Sequence, residues 1–371
     1  MDETTSRAKQ YSRRKIRLAV IQLILTTVFL LIMVVSGASA ALRELVARWS
    51  ENLYAQVGLY LALFAGVYYV LLAGLDFYGG FVLEHEFSLS NQTIFGWLKK
   101  TTKKVMLSLP MLLVAGEVLY FFLRHFPNYW WVLTAAAWLM FTIVLGRIAP
   151  VLIIPLFYKC SPLPNENLRE RLLELGRNCG VAVKDVFEIQ LSKDTKKANA
   201  AVAGIGKSRR ILLGDTLLKN HSDEEVEAVF AHELGHMRLS HTWKILGFGA
   251  VISLACFYVT DLLFQTCMTR FGFSHIHDVA AFPLLALILT VAGLIFMPIQ
   301  NAYLRHLEKQ ADMFAIGHIP DNHSFISAIK KLSDQNLSDP SPSRVVELLL
   351  YDHPPIAKRL AYCEQKNAGQ R

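Results

Sequence analysis

Six long apolar runs separated by short polar segments dominate the chain, at approximately 18–40, 59–83, 105–123, 130–157, 245–268 and 281–303. Each approaches or exceeds the ~20 residues that an α-helix needs to cross the hydrocarbon core of a bilayer. The pattern predicts a mainly α, multi-pass membrane helical bundle of about six spans. A basic segment precedes the first run, as in a signal peptide, but the apolar core is too long and five more spans follow, so it reads as a retained anchor. The predicted organisation is an N-terminal membrane region with four spans (1–158), an extramembrane domain (159–244), a transmembrane hairpin (245–303) and a C-terminal part (304–371) that returns to that domain.

Composition agrees with this reading. Of the 371 residues 53% are hydrophobic and 18% charged, against roughly 25% charged in soluble domains, which speaks against a cytosolic enzyme, and the high apolar content rules out a disordered chain. The net charge of +8 follows the topology. Arg7, Lys9, Arg13, Arg14, Lys15 and Arg17 precede span one, and Lys99, Lys100, Lys103 and Lys104 lie between spans two and three. By the positive-inside rule both segments face the cytoplasm, and so do the extramembrane domain and the tail. The opposite side receives only Arg43, Arg48, Arg124 and Arg270. Orientation therefore accounts for the basic balance, and no nucleic-acid partner is needed. The odd number of cysteines (Cys160, Cys179, Cys256, Cys267 and Cys363) and the lack of Cys-x-x-Cys spacing read as reduced packing residues. Asp76, Glu117, Arg147 and Asp261 lie in or near spans, where an ionisable group must either pair between helices or line a wet cavity. Pro110, Pro150 and Pro155 predict kinks.

The candidate chemistry lies between spans four and five. Ser222 and Glu225 form a capping box, and Asp223, Glu224 and Glu225 suit the positive end of a helix dipole. On the helix that follows, His232 and His236 stand four apart and project from one side. With Glu233 they make the His-Glu-x-x-His pattern of zinc peptidases, in which two imidazoles hold the ion and the carboxylate acts as general base. The downstream histidine of the metzincin pattern is absent: position 239 is Leu, and His241 comes one residue early. A carboxylate is the alternative third ligand. After span six, Glu308 and Asp312 are one helical turn apart, so Glu308 can bind metal while Asp312 hydrogen-bonds a ligand histidine. A solvated helix face is the competing reading of the two carboxylates. The hairpin between His236 and Glu308 returns the chain to the same membrane side, which favours the ligand reading. His241, His306 and His318 read as structural or solvated.

With these residues in hand, the chain resembles the type I CaaX prenyl endopeptidases, integral-membrane zinc peptidases with kin among the HtpX-type proteases. The resemblance runs from about Phe81 onward. It rests on His-Glu-Leu-Gly-His (232–236), Glu-Lys-Gln-Ala-Asp (308–312), Phe81–Thr93, Ile153–Lys159, Asn199–Thr216 and His353–Arg359. It implies a gluzincin-type domain, one Zn2+ per chain and a peptide or protein substrate, membrane-bound or lipidated. Eukaryotic members have seven spans around a chamber, whereas six are counted here. Residues 199–216 read as two strands around a Gly-rich turn. In the family the Asn-Ala segment binds an extended substrate, which makes Asn199 and Ala200 the candidates, with an ordinary hairpin as the alternative. His353 and Arg359 in the tail are further candidates: Arg359 for oxyanion stabilisation or for pairing a carboxylate, and His353 as a hydrogen-bond donor or a turn residue.

The expected function is a membrane-embedded zinc metalloendopeptidase at the cytoplasmic face of a bacterial inner membrane or the endoplasmic reticulum. Glu233 is its base, with Asp312 assisting. The alternatives are an HtpX-type quality-control protease, a non-catalytic scaffold and a transporter.

Overall fold

The computed structural model describes residues 3–203 and 210–369. Helix α1 (Glu3–Val35) carries the basic segment directly into the first apolar run. It stops at Val35, short of the predicted residue 40, because Gly37 adopts a left-handed φ of 74° and redirects the chain into the short α2 (Ala38–Trp49), a conformation only glycine takes without steric cost. Asn52 then caps α3 (Leu53–Phe77) by accepting from the N–H groups of Tyr54 and Ala55. A π-helical turn, Tyr78–Val82, joins α3 to α4 (Leu83–Glu86). Next come α5 (Ile94–His125) and α6 (Trp130–Ile148), and a second π turn, Ala149–Ile153, leads into α7 (Ile154–Phe157). Of the prolines predicted to kink helices, Pro110 lies inside α5, Pro150 in the π turn and Pro155 at the start of α7.

The extramembrane domain comprises β1 (Cys160–Pro162), α8 (Glu166–Asn178), β2 (Val186–Ile189), β3 (Ala200–Ala203), β4 (Arg210–Gly214), α9 (Asp215–Asn220) and α10 (Asp223–Arg238). Its sheet has the order β1-β2-β4-β3, with β2 parallel to β4 and the other pairs antiparallel. Strands β3 and β4 are the expected hairpin pair, in the register Ala200↔Leu213 and Val202↔Ile211; the predicted Gly-rich turn, 204–209, lies outside the described residues. The hairpin is α11 (His241–Arg270) and α12 (Phe282–His318), joined through a 3-10 turn, Val279–Ala281. Helices α13 (Asn322–Asn336), α14 (Arg344–Leu350) and α15 (Ile356–Gly369) complete the chain.

Among the described residues six helical segments are long and apolar enough to cross a membrane, as expected: Glu3–Val35, Leu53–Glu86, Ile94–His125, Trp130–Phe157, His241–Arg270 and Val279–His318. Their outward faces carry Val70, Met106 and Leu152, exposed by 74%, 72% and 67%. Apolar exposure on that scale is stable against hydrocarbon and costly against water. Inward, Tyr60, Trp130, Phe264 and Leu285 pack one core, while Leu172, Ile211, Leu213 and Phe230 form a separate core beneath the sheet. Two of the span carboxylates, Asp261 and Asp76, take the two expected roles. Asp261 is buried and accepts from Trp130 Nε1 of α6 at 2.6 Å and from Gln265 Nε2 at 2.9 Å. Asp76 instead lines a cleft of about 570 Å3 together with Lys15 and Lys104.

Helix α4 and the loop after it fasten the bundle to the sheet. Asn91 N donates to Asp194 O, Lys196 N donates to Leu89 O, and Glu84 pairs with Lys197 Nζ at 2.7 Å. All three contacts fall just before β3, so the membrane region helps to place that edge strand.

Asp261→Ala leaves the buried Trp130 N–H without its partner. We expect the purified protein to lose about 1 kcal/mol of stability, read as a lowered unfolding temperature in detergent, whereas Asp261→Asn retains most of it.

Candidate active site

The site is built on α10. Its predicted capping box is formed: Glu225 N donates to Ser222 Oγ at 3.3 Å, and Ser222 N donates to Glu225 Oε2 at 2.9 Å. Glu225 also accepts from Ser327 Oγ and Lys331 Nζ of α13, so the cap anchors α10 to the tail as well. Further along, Gly235 allows α12 to come unusually close. A Cβ at that position would lie 3.1 Å from Ala311 Cα and 3.2 Å from the Ala311 carbonyl oxygen. Ala311 is fully buried. Two small residues therefore bring the helices near enough for their polar side chains to meet.

They meet at His232, His236 and Glu308. The two Nε2 atoms are 3.1 Å apart, His232 Nε2 lies 3.3 Å from Glu308 Oε2, and His236 Nε2 lies 3.3 Å from Glu308 Oε1. Ligand atoms of all three fall within 4.8 Å of one another. Each atom offers a lone pair, and the buried Glu308 Oε2 has no hydrogen-bond donor. A tetrahedral ion with bonds of about 2.0–2.1 Å spaces its ligands by roughly 3.3 Å, so the donor set suits a divalent metal in both chemistry and spacing.

Behind His232, its Nδ1 lies 2.9 Å from Asp312 Oδ1. Asp312 is fully buried, and Arg359 donates to both its oxygens, from Nε at 2.8 Å and from Nη2 at 2.6 Å. Of the two roles weighed for Arg359, carboxylate pairing is the contact observed. Burial opposes charge on His232, but Asp312 and Glu308 outweigh it and raise its pKa. His236 goes the other way, lowered by burial and by the charge of His232.

Glu233 faces the cleft. Its Oε2 accepts from Val202 N of β3 at 3.0 Å, and burial raises its pKa above the ordinary carboxylate value. The cleft, about 380 Å3, is lined by Asn199, Ala200, His232, Glu233, His353 and Arg359 among others. Since Val202 N–H turns away from β4, Ala200, two residues earlier, presents its backbone to the same open edge. Asn336 steadies that edge: its side chain accepts from Ala198 N at 2.9 Å and donates to Ala198 O at 3.0 Å. His353 arrives from the tail, with Nε2 3.4 Å from Glu308 Oε2 and Nδ1 2.8 Å from Asp352. Burial works against its charge, but Asp352 and Glu308 outweigh this and raise its pKa. Asn301 and Arg305 of α12 hold the preceding segment by donating to the carbonyls of Leu349 and Glu347.

Of the nine residues singled out from the sequence, six line the cleft, and His236, Glu308 and Asp312 lie behind it in contact with His232. Three neighbours were not anticipated there. Asn336 carries no motif. His241 touches the back of His236, and Gln310 touches His241 in turn, through contacts that no spacing along the chain reveals.

A multi-span bundle carrying this cluster on a capped His-Glu-x-x-His helix defines a membrane metallopeptidase. Comparison with known proteins gives the family. The model for peptidase family M48 matches residues 162–366, and that for the CAAX prenyl protease N-terminal region, five membrane helices, matches 1–159. The chain belongs to peptidase family M48 and is a membrane metalloendopeptidase. Within 1–159, four segments of the described chain are long and apolar enough to span; α2, at 12 residues, is too short. The chain is 29% identical to the Bacillus subtilis metalloprotease YhfN, covering 97% of this chain and 85% of that protein. It is 28% identical to the human CAAX prenyl protease 1 homolog, over 78% and 70%, and 31% identical to that of Arabidopsis thaliana, over 76% and 67%. The crystal structure of S. mikatae Ste24p superposes with a TM-score of 0.83 at 26% identity, covering 98% of this chain and 89% of that one.

Gly235→Val forces its side chain against the Ala311 backbone, and α12 must move away. We expect zinc content per purified chain to fall well below that of the parent, measured by metal analysis after gel filtration.

Proposed function

We propose that one Zn2+ per chain is held by His232, His236 and Glu308, and that this centre hydrolyses peptide bonds of substrates laid along the open edge of β3. The observation that supports it most is the set of mutually facing lone pairs, with a buried carboxylate oxygen that has no donor. When bound, the ion supplies Lewis acidity and brings the pKa of water towards about 7. Everything else is done by the chain's own groups. Glu233, desolvated and beside His232, takes the proton from the attacking water, holds it at its carboxylate and delivers it to the leaving amine. Ala200 pairs its backbone with the substrate as an added strand, and Asn199, whose carbonyl is taken by Gly214 N, offers its side chain to the substrate. His353, positioned by Asp352, donates to the substrate carbonyl oxygen as negative charge develops there. Asp312 is enclosed by Arg359 and His232 and has no path to substrate, so its part is to orient His232, and Arg359 keeps it ionised.

The basic N-terminal segment and the Lys99–Lys104 cluster favour a cytoplasmic site. The substrate class follows the relatives named as CAAX prenyl proteases: a lipidated peptide or protein, presented from the bilayer beside the cleft.

Glu233→Gln should keep its zinc and lose roughly 10^2–10^4 of turnover on a prenylated peptide, followed by mass spectrometry. Turnover near the parent's level refutes the base assignment. Chelation should abolish cleavage in the parent, and added Zn2+ should restore it; cleavage that survives a metal-free preparation removes the metal from the mechanism.

A further inference from the structure

His236 is backed by a continuous polar chain that runs from the cluster to the surface. His236 Nδ1 lies 3.0 Å from His241 Nδ1, His241 Nε2 lies 3.1 Å from Gln310 Oε1, and Gln310 Nε2 lies 2.9 Å from His306 Nε2. His241 is fully buried, so its ring nitrogens must find partners inside the protein. The direction of every bond follows from the metal reading. With a metal on Nε2, which faces Glu308 and His232, His236 carries its proton on Nδ1 and donates it to His241. His241 must then accept at Nδ1 and carry its own proton on Nε2, which donates to the Gln310 carbonyl oxygen. The Gln310 amide in turn donates to His306. Each donor meets an acceptor without any group being charged.

The backbone is shaped for this contact. Ser240 adopts a left-handed φ of 55° between α10 and α11, a region uncommon for residues other than glycine. The turn brings His241, the first residue of α11, back beside His236 on the helix it has just left. Gln310 comes from α12, between Glu308 and Asp312. The membrane hairpin therefore contributes from both arms.

We propose that His241 and Gln310 are positioning residues that fix His236 in its metal-binding tautomer and ring orientation. The two histidines are then oriented by unlike partners, His232 by an anionic carboxylate locked to Arg359 and His236 by a neutral relay. The arrangement leaves the ligand set one negative charge, on Glu308, with one more behind His232.

The inference rests on the metal reading above, and its test separates the two. The full-length protein, purified in detergent and loaded with zinc, is titrated with a competing chelator, and the Co2+-substituted form is examined by its visible absorption. His241→Phe fills the space without an acceptor, whereas His241→Asn keeps an oxygen near the Nδ1 position. Gln310→Leu removes the outer acceptor, and Gln310→Glu retains it. We expect His241→Phe and Gln310→Leu to give up zinc roughly 10–100-fold more readily than the parent and to shift the Co2+ bands. The two conservative variants should stay within a few fold, and the metal-free forms of all four variants should still unfold in a single cooperative transition. A parent that binds no zinc fails the metal reading itself. A parent that binds tightly while His241→Phe or Gln310→Leu binds equally well overturns only the relay, and so does Gln310→Glu losing as much as Gln310→Leu. If His241→Phe does not fold, the Gln310 pair decides the question alone.

Discussion

The constraint on which the structure turns is the approach of α10 to α12. Where a glycine and an alanine face each other, backbones can pack closely, and the longer side chains on either side converge in the space that remains. Here those side chains are His232 and His236 from one helix and Glu308 from the other, with Gly235 and Ala311 at the contact. Lone pairs crowded together in a weakly polar interior repel one another, and a small divalent cation is the species that turns this repulsion into binding. The rest of the molecule supplies the means of keeping the two helices in that relation: a capping box tied to α13, a tail clamped by Asn301 and Arg305, and a sheet edge held by Asn336.

The membrane contributes to the same end. Helix α12 is one continuous element, with its first part among the apolar spans and its last turns in the peptidase site. A rigid helix anchored in hydrocarbon fixes the height and rotation of its emerging end more firmly than a surface loop does. Glu308, Gln310 and Asp312 thereby inherit their placement from the bilayer. The contacts between the loop after α4 and the segment ahead of β3 extend this coupling to the strand proposed to receive substrate.

The site is also divided by charge. Around His232 lie Asp312 and Arg359, an ion pair almost wholly removed from solvent, where the guanidinium fork satisfies both carboxylate oxygens. Around His236 the partners are neutral. Glu233 and His353 stand on the open side, each with a pKa moved by burial and by its neighbours. Such groups are suited to exchanging protons with a reacting substrate, while the enclosed groups are suited to holding geometry.

How much of this was legible along the chain depends on the range of the physics involved. Span number, the capping box, the paired histidines and the β3–β4 pairing all arise from local periodicity, which six apolar runs and a Ser-x-x-Glu signal state openly. Glu308 was reachable too, because a hairpin can only return to the side it left. The early end of α1 was missed, since a single left-handed glycine outweighed a still-apolar sequence. The order of residues gave His241 nothing beyond a near miss to the metzincin spacing, Gln310 nothing beyond its place inside the Glu-Lys-Gln-Ala-Asp block, and Asn336 no mark at all. Their roles come from which helix faces meet in space, and that is decided by packing across hundreds of residues. Local chemistry named the candidate ligands and the carboxylate behind one of them; only the assembled tertiary structure decided what stands behind His236.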